Sequence, residues 1–209
     1  MPIHRRPIFV VLAGPNGAGK STITPRVHLG PKIDPDFIAK SINPQNPDAA
    51  ALPAARQAIG DLKQYKVQGR SFTYETTLSS NAALMEIADA KSKGYEVRLY
   101  FVALGSAEQS ARRVAYRVTQ GGHDIPAAAI ARRFEITFAH ALEAVVMVDR
   151  FELIDNHEGR TRSVLLIENG VVVSRDQSAS IRITQAIADL VTAVDRNRPR
   201  PSWTRPRTP

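Results

Sequence analysis

The chain has 209 residues, 43% of them hydrophobic, a net charge of +8 and no cysteine. That length suits one α/β domain with a sizeable core, and the missing cysteines exclude disulfides and thiolate metal sites. No apolar run is long enough to span a bilayer, Met1 to Pro7 lacks a signal-peptide core, and the histidines are scattered without ligand spacing, so a cytoplasmic protein without a membrane partner is expected.

The first predicted element is a strand, the apolar run Ile8 to Leu12. It leads into Gly14, Pro15, Asn16, Gly17, Ala18, Gly19, Lys20 and Ser21, which fit G-x-x-x-x-G-K-[ST] at every fixed position, with Thr22 following. The glycines let the backbone turn with positive φ and gather N–H groups around an anion, and the next helix adds the partial positive charge of its N-terminus. Residues Gly14 to Thr22 are therefore expected to bind a nucleotide, with Lys20 on its β- and γ-phosphates and the Ser21 hydroxyl on Mg²⁺.

Pro25 should bend or end the short helix after the loop, and Lys32-Ile33-Asp34 forms a brief second strand before Asp36 opens a turn. Asn46-Pro47-Asp48 places a cap before a helix-compatible proline, and the alanine-rich stretch to Gln68 is predicted as one helix, bent at Pro53 and closed by Gly69. Ser71 to Glu75 is the third strand. Asn81 to Lys93 is an amphipathic helix, and Glu96 to Leu104 is a long strand expected to be buried on both faces. Ser106 and Gln109 make a capping box for a helix through Val118 that stops at Gly121-Gly122. Pro126 starts a helix to about Val146, and Phe151 to Ile154 is the last core strand.

Beyond Asp155-Asn156, the runs Val164 to Ile167 and Val171 to Val173 flank Asn169-Gly170, a hairpin signal, and a helix follows over Ile181 to Val194. Residues 196–209 are rich in proline and hold Arg196, Arg198, Arg200, Arg205 and Arg207, so a disordered tail is expected there. Because much of the positive charge lies in that tail, no nucleic-acid-binding face is expected on the domain. Strands alternating with helices predict an α/β fold, a mainly parallel sheet with helices on both faces and ligands at the carboxyl ends of the strands, plus a C-terminal β-hairpin and helix.

The loop alone specifies a nucleotide and little more. No guanine-reading Asn-Lys-x-Asp occurs, and no transporter signature loop or apolar strand ending in Asp-Glu. A small kinase fits better, since it needs a base for the acceptor hydroxyl, a carboxylate that organises metal, and arginines that close on the γ-phosphate. Asp36, Glu75 and the arginine-bearing helices supply these types. Arg113 and Arg117 share one helix face, Arg133 lies on the next helix, and the glycine pair between them suggests a lid over about 106–146 that excludes water. His123, within that connection, is a further phosphate-contact candidate. An ATP-responsive nucleic-acid binder using the arginine tail is the reading from another class.

The chain resembles the zeta toxin family of P-loop kinases from bacterial toxin–antitoxin systems. The similarity rests on GPNGAGKST at 14–22, IDPDFIAKSINPQNPDAAA at 33–51, GRSFTYETTLSS at 69–80, GYEVRLYFVALGSAEQSARRVAYRVTQGGHDIP at 94–126, IARRF at 130–134 and LIDN at 153–156. The resemblance implies ATP and Mg²⁺ as cofactors, a small-molecule acceptor such as the 3′-hydroxyl of the N-acetylglucosamine in UDP-N-acetylglucosamine, and an antitoxin protein as partner. It implies Asp36 as base and Lys20, Arg117 and Arg133 as the other catalytic residues. Glu75, Thr77 and Arg113 would then contact substrate, with Ser21 and Glu75 on the metal. A kinase of another small hydroxyl compound is the alternative. Two departures are Asp34, where short members often have Asn, and a length below that of the long toxins. Residues 1–195 are expected to form one kinase domain, with the hairpin and final helix at 163–195.

Overall fold

Alternation along the first strand, β1 (Ile8–Ala13), divides the core. Phe9, Val11 and Ala13 join one apolar cluster and Leu12 the other, because successive side chains of a strand point to opposite faces. The computed structural model describes residues 6–122, 124–157, 159–176 and 181–197. The elements after β1 are α1 (Lys20–Val27), β2 (Lys32–Ile33), α2 (Pro35–Ile42), a 3-10 turn (Pro47–Ala50), α3 (Ala51–Val67), β3 (Phe72–Thr76) and α4 (Asn81–Ser92). They continue with β4 (Glu96–Ala103), α5 (Ala107–Thr119), α6 (Ala127–Ala144), β5 (Arg150–Asp155), β6 (Arg162–Glu168), β7 (Val171–Arg175) and α7 (Ile181–Asn197).

One sheet runs in the order β2-β3-β1-β4-β5-β6-β7, parallel through β5 and antiparallel for the final hairpin. The chain leaves β1 to build β2 and β3 on one side, then crosses to β4 on the other. Loops after β1 and β3 consequently open a crevice at the carboxyl ends of the strands, where ligands bind in sheets of this kind. Leu12 of β1 lies opposite both Glu75 of β3 and Tyr100 of β4.

Residues of α3, α4, α6 and α7 fill the larger cluster, and α1 contributes Ile23 to the smaller one, with Phe134 of α6. Phe9 stacks on Phe72 with ring centroids 4.7 Å apart, Tyr95 meets Phe72 edge-on, and the Tyr95 hydroxyl donates to the carbonyls of Tyr65 and Arg70. Truncating a buried aromatic such as Phe72 to Ala typically costs about 3–5 kcal/mol, so this stack holds the β1–β3 pair in place.

Several expectations need correction. β4 is not buried on both faces throughout: Glu96, Arg98 and Tyr100 are only half-buried, on the face that α1 and α5 leave partly uncovered. There Arg98 pairs with Glu96 at 2.7 Å and Arg150 with Glu152 at 3.0 Å. Pro47 starts a separate 3-10 turn, and Pro53 falls in the first turn of α3, where its missing N–H costs no helical bond. Pro25 sits inside α1, which ends two residues later. α7 extends to Asn197, beyond the expected end at Val194, and residues 198–209 lie outside the described residues. The hairpin is as expected, with Asn169 and Gly170 both at positive φ, as a tight two-residue turn requires.

Asp149, before β5, ties three elements together: it accepts from the Val97 N–H at 2.8 Å and Lys91 at 2.7 Å, with Arg6 at 3.9 Å. Burial pushes its carboxyl up, but these donors outweigh that and hold it below the usual aspartate range. A carboxyl whose folded pKa is depressed stabilises the fold above its unfolded pKa, about 4, and loses that contribution as pH falls through the folded value. Asp149→Ala should therefore cost about 1–3 kcal/mol at neutral pH. In urea titrations the gap between mutant and wild type should close below about pH 4, in the range of ordinary aspartate titration; a gap that persists would refute the assignment.

Candidate active site

The loop between β1 and α1 turns through Gly14, Gly17 and Gly19 at φ +144, +69 and +84. A Cβ on Gly14 would lie 2.2 Å from the Val102 carbonyl oxygen, so only glycine lets the loop pass this close to β4. Side-chain donors take the loop carbonyls. Lys20 Nζ donates to Gly14 O at 3.0 Å and Pro15 O at 3.4 Å, Ser110 Oγ to Asn16 O at 2.5 Å, Arg113 Nη1 to Gly17 O at 3.5 Å and Asn156 Nδ2 to Ala18 O at 2.7 Å. The Gly19 carbonyl accepts from the Thr22 N–H. With the carbonyls engaged from behind and no side-chain cap on α1, the chain presents N–H groups and a helix start, a fit for polyphosphate.

Burial pushes the Lys20 ammonium below the usual lysine range, and Glu75, Asp36 and Asp34 oppose that shift while Arg117 adds to it. Asp36, Glu75 and Arg117, expected to act together with Lys20, thus each lie within electrostatic reach of its ammonium. Ser21 and Thr22 are exposed at the head of α1.

Asp34, not Asp36, caps α2: its Oδ1 accepts from the N–H groups of Asp36 at 3.1 Å and Phe37 at 3.2 Å. Asp36 stands exposed in the first turn with its carboxylate not spent on capping. Glu75, whose cation the sequence did not reveal, receives Lys32 Nζ at 2.9 Å, and the same ammonium reaches Asp34 Oδ2 at 3.0 Å. One signal existed, since Lys32 and Asp34 are two apart and face the same way from a strand.

Beyond Glu75, Leu78 is fully buried at φ +56, a conformation that costs a bulky residue about 1–3 kcal/mol. The segment is fastened to α6. The Thr137 hydroxyl lies 2.8 Å from Thr77 O and 2.7 Å from Arg133 O, and His140 Nδ1 lies 2.8 Å from Leu78 O. A carbonyl only accepts, so His140 holds its proton on Nδ1. The Thr77 hydroxyl pairs locally with Ser79 at 2.8 Å. Arg133, half-buried one turn before Thr137, is thereby tied to the Thr77 loop through the backbone of its own helix.

Arg113 ties the loop to the turn after β5: Nη2 donates to Asn156 O at 2.6 Å and His157 O at 3.3 Å, besides the contact to Gly17. Gln109 completes only half of the expected capping box. The Ser106 hydroxyl accepts from its N–H, but its side chain serves Gly105 and His157 instead. Asp155 accepts from the His157 N–H at 2.7 Å, a turn starter, while Asn156 braces the loop. These bracing roles were not legible in the sequence, because they join residues far apart in the chain. His123 lies outside the described residues.

Between the loop and α5 runs a cleft of about 740 Å³, lined among others by Gly17, Ser21, Arg113, Tyr116, Arg117 and Asn156. That volume suits a nucleotide. For a divalent metal the donors available are Ser21 and a carboxylate. No group of three His, Cys, Asp or Glu among the described residues forms a metal cage, so a metal would need phosphate oxygens as further ligands, which is the habit of Mg²⁺. No helix among the described residues is long and apolar enough to cross a membrane.

A family model described as zeta toxin matches residues 47–170, more than half of the chain. An uncharacterized protein of Haemophilus influenzae is 37% identical over 118 residues, which are 56% of this chain and 84% of that protein. Among solved structures, the AvrRxo1-ORF1:-ORF2 complex with ATP superposes with a TM-score of 0.62 at 15% identity, covering 92% of this chain and 77% of that one. The PezAT chromosomal toxin–antitoxin system of Streptococcus pneumoniae gives 0.57 at 16% identity, covering 90% and 79%. At such identities the structures establish a shared fold.

The placement of Arg113 generates a test. Arg113→Ala should weaken ATP binding about tenfold, near the value of one charged hydrogen bond, by loosening the loop. It should also lower the melting temperature without nucleotide by roughly 4 °C. Weaker binding at an unchanged melting temperature would instead assign Arg113 to direct contact with substrate.

Proposed function

The chain belongs to the zeta toxin family and is an ATP-dependent phosphotransferase, and on that premise we propose that it phosphorylates a sugar hydroxyl, with the 3′-hydroxyl of UDP-N-acetylglucosamine as the leading acceptor. The observation that supports phosphoryl transfer here is that Asp36 and Glu75 lie within electrostatic reach of Lys20, with the Asp36 carboxylate not used by its own helix; the sugar acceptor is what family membership suggests.

In this mechanism the loop N–H groups and Lys20 hold the phosphates of ATP, and the cost of burying the Lys20 ammonium falls when an anion joins it. Asp36 accepts the proton of the acceptor hydroxyl. Glu75 and Thr77 orient the acceptor, while Arg117 and Arg133 stabilise the charge on the phosphoryl group in transfer. Ser21 and Glu75 would hold Mg²⁺, which neutralises phosphate charge when bound. Arg113 acts by holding the loop.

We further propose a cytoplasmic protein restrained by an antitoxin partner. Support comes from family membership and from the PezAT structure, described as a toxin–antitoxin system.

Incubation with labelled ATP and a panel of nucleotide sugars, with products identified by mass, tests the acceptor. A product other than a phosphorylated nucleotide sugar would replace this acceptor. Lys20→Ala should lower transfer by several orders of magnitude in a folded protein, because catalysis here is mostly electrostatic. Asp36→Asn should leave ATP affinity nearly unchanged and slow single-turnover transfer roughly a hundredfold. Since Asp34 caps α2, the loss cannot be charged to the helix; near-normal transfer would remove Asp36 as base.

A further inference from the structure

The Lys32 ammonium sits between two carboxylates that belong to different elements. It reaches Glu75 Oε2 at the end of β3 at 2.9 Å and Asp34 Oδ2 at the start of α2 at 3.0 Å, with the side chains of Glu75 and Asp34 only 14% and 17% exposed. Asp34 uses its other oxygen to cap the turn of α2 that bears Asp36. A single cation thus links the strand end that presents Glu75 to the helix start that presents Asp36. We propose that Lys32 is a positioning residue for phosphoryl transfer, fixing Glu75 and the first turn of α2 in one frame; this deepens the kinase reading above and rests on it.

Two physical effects make the link matter. Asp34, Asp36 and Glu75 bring three negative charges into reach of Lys20, which has to stay available to phosphate. Lys32 neutralises part of that charge and holds the Glu75 carboxylate in place at the end of β3. Geometry is the second effect: β2 has only two residues and lies at the edge of the sheet, so backbone pairing alone fixes α2 weakly.

A double-mutant cycle on the full chain tests this, with Lys32→Met, Glu75→Gln and the pair together. The readouts are single-turnover transfer from Mg-ATP, hydrolysis of Mg-ATP by water, and equilibrium binding of a fluorescent ATP analogue. Lys32→Met should slow transfer roughly ten- to hundredfold, the cost of misplacing a reacting group by about an ångström. Affinity for the analogue should stay within about threefold, because the loop still holds the phosphates. In the Glu75→Gln background the same substitution should add little, and Lys32→Arg should restore much of the rate, since a guanidinium can span both carboxylates. Should Lys32→Met not fold, Lys32→Gln takes its place.

Normal transfer in Lys32→Met, fully additive losses, or equal losses of binding and rate would overturn the proposal. A wild type that hydrolyses ATP but phosphorylates no acceptor overturns the acceptor reading alone, and the cycle on hydrolysis then decides Lys32. A wild type inert in both assays overturns both.

Discussion

Everything at this site depends on how the phosphate loop disposes of its own carbonyl groups. A loop that binds an anion through backbone N–H must turn its carbonyl oxygens away, and away from the anion means into the protein, where an unmet acceptor is costly. Ser110, Arg113 and Asn156 meet that requirement from α5 and from the end of β5. The donors come from two other parts of the chain, so the loop takes its shape only once the sheet and α5 are assembled. Gly14 adds the steric half of the constraint by passing against the Val102 carbonyl, which fixes the loop to β4.

The same bracing divides α5 into two functional parts. Its first turns, with Ser110 and Arg113, are fastened to the loop, while Arg117 near its end is exposed and faces the cleft. The helix finishes at Gly121 and Gly122, whose N–H groups cap the carbonyls of Val118 and Arg117. Beyond it, α6 is tied to the Thr77 segment through Thr137 and His140. The Thr77 segment and Arg133 therefore share one support. The strained Leu78 is consistent with that: a left-handed leucine persists only where its surroundings over-determine it.

Charge at the opposite edge of the crevice follows a similar logic. Three carboxylates gathered near one lysine would repel each other and crowd the ammonium meant for phosphate. A second lysine from the edge strand relieves this at the point where α2 and β3 approach.

The sequence by itself determined the phosphate loop, the alternation of strands and helices, the Asn169-Gly170 hairpin and the candidate residues Lys20, Asp36 and Glu75. Each depends on local chemistry: positive-φ glycines, apolar periodicity, and carboxylates at predicted strand ends. Tertiary structure alone decided that Asp34 rather than Asp36 caps α2, that Arg113 hydrogen-bonds loop carbonyls, that Lys32 is the partner of Glu75, and that one face of β4 stays partly open. Those outcomes rest on which strands lie side by side. The order β2-β3-β1-β4-β5 brings together residues as distant in the chain as Ala18 and Asn156, or Lys32 and Glu75, and no periodicity along a single chain records such a meeting.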